Sequence, residues 1–226
     1  MKNKGRILFT GFVTHDVMRF IVEKPEGFEF TPGQATEVAI AKDGWEDKKR
    51  PFTFTSLADD EVLEFIIKGY PVKDNPEHSG MTEKLHTLKP GDELLFDDPW
   101  GTIEYKGPGV FIAGGAGITP FIAIIRDLKV KNKLKGNKLF FSNKTAKDII
   151  LEKELREAFG DELLLTLTRE KLPGYSNGRI NKNFLGKYVK RYDQNFYVCG
   201  PKKMVEDIKK ILDSLGASSD SLVFEE

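Results

Sequence analysis

Apolar and polar positions change their rhythm near the middle of the chain. Up to residue 105, short runs rich in β-branched and aromatic residues are separated by Gly, Pro, Asp and Asn, the spacing of a barrel or sandwich. The runs predict strands over residues 6–14, 17–23, 35–40, 51–56, 62–68 and 93–96, with one helix over 81–88 stopped by Lys89-Pro90-Gly91-Asp92. After Lys106-Gly107-Pro108-Gly109, apolar strands over 110–113, 138–142, 163–168 and 195–198 alternate with amphipathic helices over 119–128, 151–159 and 202–215. That alternation predicts a parallel sheet with crossover helices. A last strand is expected over 221–226, carrying Phe224 near the chain end. The expected architecture is therefore two-domain, an antiparallel β-barrel over 1–105 followed by an α/β parallel-sheet domain over 106–226.

Composition agrees with this plan. The chain has 226 residues, 39% hydrophobic and 31% charged, ordinary for a water-soluble protein with two small cores. The apolar run over 109–125 is short for a membrane span and is broken by Gly114, Gly115, Gly117 and Pro120, so it reads as strand, turn and helix and no membrane insertion is expected. Lys plus Arg (35) equals Asp plus Glu (35), so no global field favours nucleic acid. The single cysteine, Cys199, excludes an internal disulfide, a multi-cysteine zinc site and a cysteine-ligated iron–sulfur cluster within this chain. His15, His78 and His86 are scattered without metal-ligand spacing, and no metal is expected. The first residues lead into an alternating strand and not an apolar signal core, which points to the cytoplasm.

Three segments can carry chemistry. Gly114-Gly115-Ala116-Gly117-Ile118-Thr119-Pro120 follows a strand and opens a helix, where backbone N–H groups and the helix dipole can hold a phosphate. A tight structural turn would use the same glycines. Arg50-Pro51-Phe52-Thr53-Phe54-Thr55-Ser56 sets an arginine at a strand start with an aromatic two residues on, suited to gripping a phosphate and covering a flat ring. An ordinary strand with a surface arginine would look the same. Cys199-Gly200-Pro201 is a third strand-to-helix glycine turn, with proline in a favoured first-turn position.

Order and spacing together give these segments more meaning than each has alone. The constellation resembles the ferredoxin–NADP reductase superfamily: an Arg-x-(Tyr/Phe)-(Ser/Thr)-x-x-Ser flavin motif, a Gly-Gly-x-Gly-Ile-x-Pro turn and a Cys-Gly-Pro-x-x-Met turn. Phe30-Thr31-Pro32-Gly33-Gln34 is similar to the family's Pro-Gly-Gln turn, and the likeness spans essentially the whole chain. The resemblance implies a flavin-binding barrel. Arg50 would pair with the flavin phosphate, Phe52 pack on the isoalloxazine or ribityl chain beside Pro51, and Thr53 place its hydroxyl near N5. Ile66, Ile67 and Lys68 would flank the flavin, and Gly80, Met81 and Thr82 would form a second phosphate site. FAD is expected ahead of FMN.

In the second domain the resemblance implies a nicotinamide nucleotide, with Gly115, Gly117 and Thr119 at the pyrophosphate and Cys199, Gly200 and Pro201 beside the nicotinamide. Thr168 and Arg169, together with Arg179, are similar to the family's pocket for the 2′-phosphate, which implies NADPH, with NADH possible in its place. Cys199 would shape the hydride site and not act as a nucleophile, since no histidine is placed to activate it. Phe224 would cover the flavin face that nicotinamide must reach, or else anchor the last strand as a core residue. The implied activity is hydride transfer from NADPH to bound FAD, then electrons to a separate flavodoxin or ferredoxin. The same two domains also serve reductases of free flavin, cytochromes or oxygenase components, and electron-transfer subunits without turnover of their own.

Overall fold

The computed structural model describes residues 1–77, 79–101, 103–218 and 222–224, without the side chain of Phe224. His78 and positions 221, 225 and 226 of the expected final strand lie outside the described residues. The chain divides into two compact units, Met1–Gly101 and Thr102–Glu226. The division falls ahead of the Gly/Pro turn at 106–109 because Tyr105 already belongs to the second core. Its ring stacks on Phe111 and Tyr197 at 6.3 and 5.7 Å, and its hydroxyl donates to Asn137 Oδ1 at 3.3 Å.

The first unit contains β1 (Asn3–Thr14), β2 (Val17–Glu23), β3 (Ala35–Ile40), β4 (Arg50–Thr53), β5 (Val62–Lys68), α1 (Met81–Leu85) and β6 (Glu93–Phe96). Its six strands form one sheet in the order β4-β3-β6-β1-β2-β5, antiparallel at every pairing. The two edge strands meet through the residues after β4. Thr55 N–H donates to Glu64 O on β5 at 2.8 Å, and Glu64 N–H donates to Ser56 Oγ at 3.0 Å. Closure satisfies the edge groups that an open sheet would expose.

The barrel interior is filled by period-two apolar positions, among them Phe20, Val22, Val38, Leu63, Phe65 and Phe96. Phe54 is its aromatic hub, stacked on Phe30 at 4.3 Å and tilted against Phe65 at 5.3 Å. Residue 54 stands in the middle of the Arg50–Ser56 motif, so burying one ring holds the motif against the barrel.

The second unit runs β7 (Gly109–Gly114), α2 (Thr119–Val130), β8 (Lys138–Asn143), α3 (Glu152–Phe159), β9 (Leu163–Leu167), β10 (Ser176–Asn177), α4 (Lys182–Tyr188), β11 (Asn195–Cys199), α5 (Lys202–Ser214) and β12 (Leu222–Phe224). All six strands are parallel, in the order β10-β9-β8-β7-β11-β12. Every residue of the central β7 is buried, as helices on both faces of a parallel sheet require. Phe111 meets Phe121 of α2 on one face, and Val110, Ile112, Phe140 and Val198 meet Leu185, Ile208 and Leu212 of α4 and α5 on the other. Helix α4 and strand β10 were not anticipated from the sequence. Phe224 pairs in register with Val198, an edge position on β12. Among the described residues no helix is long and apolar enough to cross a membrane.

Tyr197 ties the start of the second unit to its sheet. Its hydroxyl accepts from Lys106 N–H at 2.9 Å and donates to Gly107 O at 2.8 Å, and burial pushes its pKa up to about 12, so it stays protonated. Tyr197→Phe leaves both backbone groups without that partner, and we expect a loss of about 1–3 kcal/mol. Urea unfolding checks this, and an unchanged midpoint would remove the clamp.

Candidate functional site

On the barrel, β4 is an edge strand bonded along its length only to β3, which tolerates Pro51 in the ladder. Arg50 and Pro51 are exposed, Phe52 is half-buried and packs against the barrel core, as Trp45 does, and Thr53 is 8% exposed. Among the described residues the Arg50 guanidinium donates only to its neighbour's backbone, Lys49 O, at 2.8 Å. Ile66 and Ile67 are both buried, and Ile67 O is bonded to His86 Nε2 at 2.9 Å. Lys68 is committed to Asp16, 2.6 Å away.

The segment ahead of α1 offers backbone and little else. Gly80 turns with a φ of +76°, a region open to glycine at low strain, and Met81 is buried in the core. Thr82 Oγ1 already accepts from Tyr70 N–H at 3.1 Å. Any contact from Met81 must therefore come from its N–H, since its side chain holds the helix to the barrel.

In the second unit the chain leaves β7 toward β8, β9 and β10 on one side and returns to β11 on the other. The switch point lies between β7 and β11, and ligands of open parallel sheets bind beyond the strand C-termini at such a point. Two glycine turns meet there. A Cβ on Gly117 would lie 2.5 Å from Cys199 O and 2.6 Å from Gly200 Cα, and one on Gly114 would lie 2.5 Å from Met204 Sδ. Gly115 differs: its φ is +54° and no atom lies within 4 Å of its Cβ direction, so its backbone is open to a ligand. Gly114 and Gly117 thus serve close packing of the two turns, while Gly115 leaves room for an anion. Thr119 Oγ1 donates to Ala116 O at 3.0 Å, holding the turn's shape, and Cys199 is buried with Pro201 opening α5.

Parallel pairing places the two candidate arginines together in sequence register. Asn177 pairs with Leu167, so Arg169 and Arg179 both follow by two residues the ends of neighbouring strands. Gly178 N–H donates to Leu167 O at 2.8 Å, and Thr168 N–H to Asn143 O at 2.9 Å, which fixes both turns. Arg169 and Arg179 are exposed. Glu170, beside Arg169, has its carboxylate held by Ala146 N–H at 2.8 Å.

The arginines divide cleanly. Arg6, Arg19, Arg126, Arg156 and Arg191 each pair with a carboxylate. Arg50, Arg169 and Arg179 make no ion pair among the described residues. An arginine kept clear of carboxylates presents its full donor fork to an outside anion.

Sequence reasoning missed Asn143. It closes β8 at the ligand edge of the sheet, 5% exposed, and neither its Oδ1 nor its Nδ2 has a hydrogen-bond partner among the described residues. A buried carboxamide without partners calls for an explanation, and an approaching polar ligand supplies one. The available signal was the polar pair Ser142-Asn143 ending the apolar run Leu139-Phe140-Phe141.

A parallel sheet whose glycine turns meet at its switch point, with uncommitted cations beyond neighbouring strands, defines a dinucleotide-binding domain; the closed barrel with its free edge arginine suits a second phosphorylated cofactor. The oxidoreductase FAD-binding domain family matches residues 6–105 and the oxidoreductase NAD-binding domain family residues 111–210. NADH-cytochrome b5 reductase 1 of Homo sapiens is 32% identical over 203 residues, covering 75% of this chain and 67% of that protein. The reductase component of propane 2-monooxygenase from Rhodococcus jostii is 24% identical, covering 94% of this chain and 60% of its own. A ferredoxin NADP+ reductase from Neisseria gonorrhoeae, solved with bound FAD and NADP, superposes with a TM-score of 0.84 at 18% identity, covering 98% and 97% of the two chains. This chain belongs to the FAD- and NAD(P)-binding oxidoreductases of the ferredoxin–NADP reductase superfamily.

Proposed function

We propose that the chain takes hydride from NADPH onto bound FAD and passes electrons to a one-electron carrier outside this chain, flavodoxin or ferredoxin. What carries the reading is the division of the arginines: the ones without carboxylate partners are those that the family motif and the 2′-phosphate pocket require. Bound flavin would supply the redox chemistry, accepting hydride from the nicotinamide and releasing electrons singly. The chain's own work is binding and orientation. Arg50 would hold the flavin phosphate, Phe52 and Pro51 would lie along the flavin, and Thr53 would offer its hydroxyl to the ring. Ile66 and Ile67 supply a dry flank, and Gly80, Met81 and Thr82 would contribute backbone N–H groups. Gly115 leaves space for the pyrophosphate, Gly117 and Thr119 hold that turn in shape, and Cys199-Gly200-Pro201 would border the nicotinamide. Asn143 would find in the nucleotide the partner it lacks among the described residues.

A single cysteine gives the residues of this sequence no ligand set for an iron–sulfur cluster, which supports the reading of a separate carrier as acceptor. A second reading takes NADH as donor and a cytochrome or an oxygenase component as acceptor, and the names of the curated relatives favour it. The two donors differ by one phosphate. Arg169→Ala with Arg179→Ala should raise the KM for NADPH by roughly 10- to 100-fold, the effect of about 1.5–3 kcal/mol of charge-assisted hydrogen bonding, and leave NADH nearly unchanged. Equal losses with both nucleotides, or none with either, sink the NADPH assignment. For the activity itself, the purified protein should be yellow and bleach anaerobically with NADPH. A colourless protein that reduces only added flavin would replace the bound-flavin reading with free-flavin reduction.

A further inference from the structure

We infer that Trp45, Lys48 and Lys84 form the subsite for the ADP half of FAD, with the adenine against the indole and the diphosphate among the lysines. The inference rests on the flavin reading above and names what would distinguish FAD from FMN in this chain.

Trp45 stands on the loop joining β3 to β4, a stretch otherwise made of exposed polar residues and glycine from Lys42 to Arg50. The indole is half-buried against the barrel core, the cluster that Phe52 also packs on. Beside that packing, two charges approach its ring. Lys48 Nζ lies 4.1 Å from the ring centroid, and Lys84 Nζ, from α1, lies 5.9 Å from the same ring. Two ammonium groups from different elements gathered at one aromatic repel each other, and an anion between them would relieve that repulsion.

The neighbouring cations show that this arrangement is selective. On the same loop Lys42 pairs with Asp92 at 2.6 Å and Lys49 with Asp97 at 3.1 Å. Lys48, Lys84 and Arg50 make no ion pair among the described residues. Asp92 and Asp97 thus pair with other lysines, leaving Lys48 and Lys84 at the indole without an ion-pair partner among the described residues. That set recognises a flat heteroaromatic ring carrying phosphates.

The place also continues the flavin motif. Trp45 Cη2 is 3.8 Å from where a Cβ on Gly80 would stand, so the indole borders the residue 80–82 segment, and Lys48 is two residues before Arg50. FMN ends at its single phosphate and has no use for an indole beyond it, whereas FAD continues into a second phosphate and an adenine. Lysine stems are flexible, so both ammonium groups can move from the ring face to phosphate oxygens when a base takes their place.

The test compares the two flavins on the apoprotein. Trp45→Leu keeps an apolar cover over the barrel and removes the stacking surface. It should weaken FAD binding by roughly 10- to 100-fold, the range for base–aromatic stacking, while FMN affinity stays unchanged and reports an intact barrel. Lys48→Ala with Lys84→Ala should likewise weaken FAD alone and flatten its salt dependence. The chain has two tryptophans, so Trp100→Phe leaves Trp45 as the sole indole, and ADP added to that apoprotein should quench its emission. NADP+ should quench far less, because its ADP half belongs to the other domain; quenching by NADP+ equal to that by ADP would overturn the assignment to FAD. Equal losses of FAD and FMN in Trp45→Leu, or no loss of either, would overturn it while leaving the flavin reading standing. A wild-type apoprotein that binds neither flavin removes both. If Trp45→Leu does not fold, the Lys48→Ala, Lys84→Ala double variant decides, since an unchanged ratio of FAD to FMN affinity in it refutes the subsite.

Discussion

Arg50→Ala is expected to strip the flavin from the protein without unfolding it. The side chain is exposed and donates only to Lys49 O, so its removal takes no packing from the barrel. A charge-assisted contact to phosphate contributes about 2–3 kcal/mol, or roughly 100-fold in affinity. Dialysis followed by the ratio of visible to ultraviolet absorbance reads the result. A mutant that keeps its full complement of flavin would place the phosphate elsewhere. Phe54→Ala should behave in the opposite way, loosening flavin only through loss of the whole barrel, since the cavity left by a buried ring costs about 3–5 kcal/mol.

Gly117→Ala is expected to be the most damaging single methyl in the glycine turn after β7. The added Cβ would stand 2.5 Å from Cys199 O and 2.6 Å from both Cys199 C and Gly200 Cα, all of them backbone atoms that no rotamer change can move aside. The two glycine turns must separate. Overpacking of this kind costs about 1–3 kcal/mol, and the nucleotide edge is displaced along with it. Gly115→Ala makes the matched control: its φ of +54° gives a strain of about 1–2 kcal/mol, yet the new methyl meets nothing within 4 Å. Melting curves and NADP+ titrations of the pair check this. Nucleotide affinity lost equally in both variants would show that φ, and not close packing, governs the turn.

Much of the plan was legible because it rests on period and punctuation. Alternation in residues 17–23 and 62–68 matched β2 and β5 end to end, and the buried runs after residue 109 matched β7, β8, β9 and β11 to within a residue or two. Both signals are local, since a strand's facing follows from its own side chains. Strand β10 escaped because two residues carry no period. Helix α4 escaped because its seven residues, Lys182–Tyr188, give too few turns for a clear apolar period, although Asn181 is a proper cap and accepts from Phe184 N–H at 2.9 Å.

The sequence by itself determined the order of two domains, the residue types able to meet phosphates and the family that shares them, because motifs are contiguous in the chain. Only the tertiary structure decided which of those groups are still free to act. Lys68 is spent on Asp16, Met81 on the core and the Thr82 hydroxyl on Tyr70 N–H, whereas Arg50, Arg169 and Arg179 make no ion pair among the described residues. It also decided that Gly117 serves Cys199 and Gly200 across the sheet, and that the Asn143 carboxamide is buried without a partner at the ligand edge. These are pairings between residues far apart in the chain, and hydrogen bonds, ion pairs and close packing depend on distances that only folding sets.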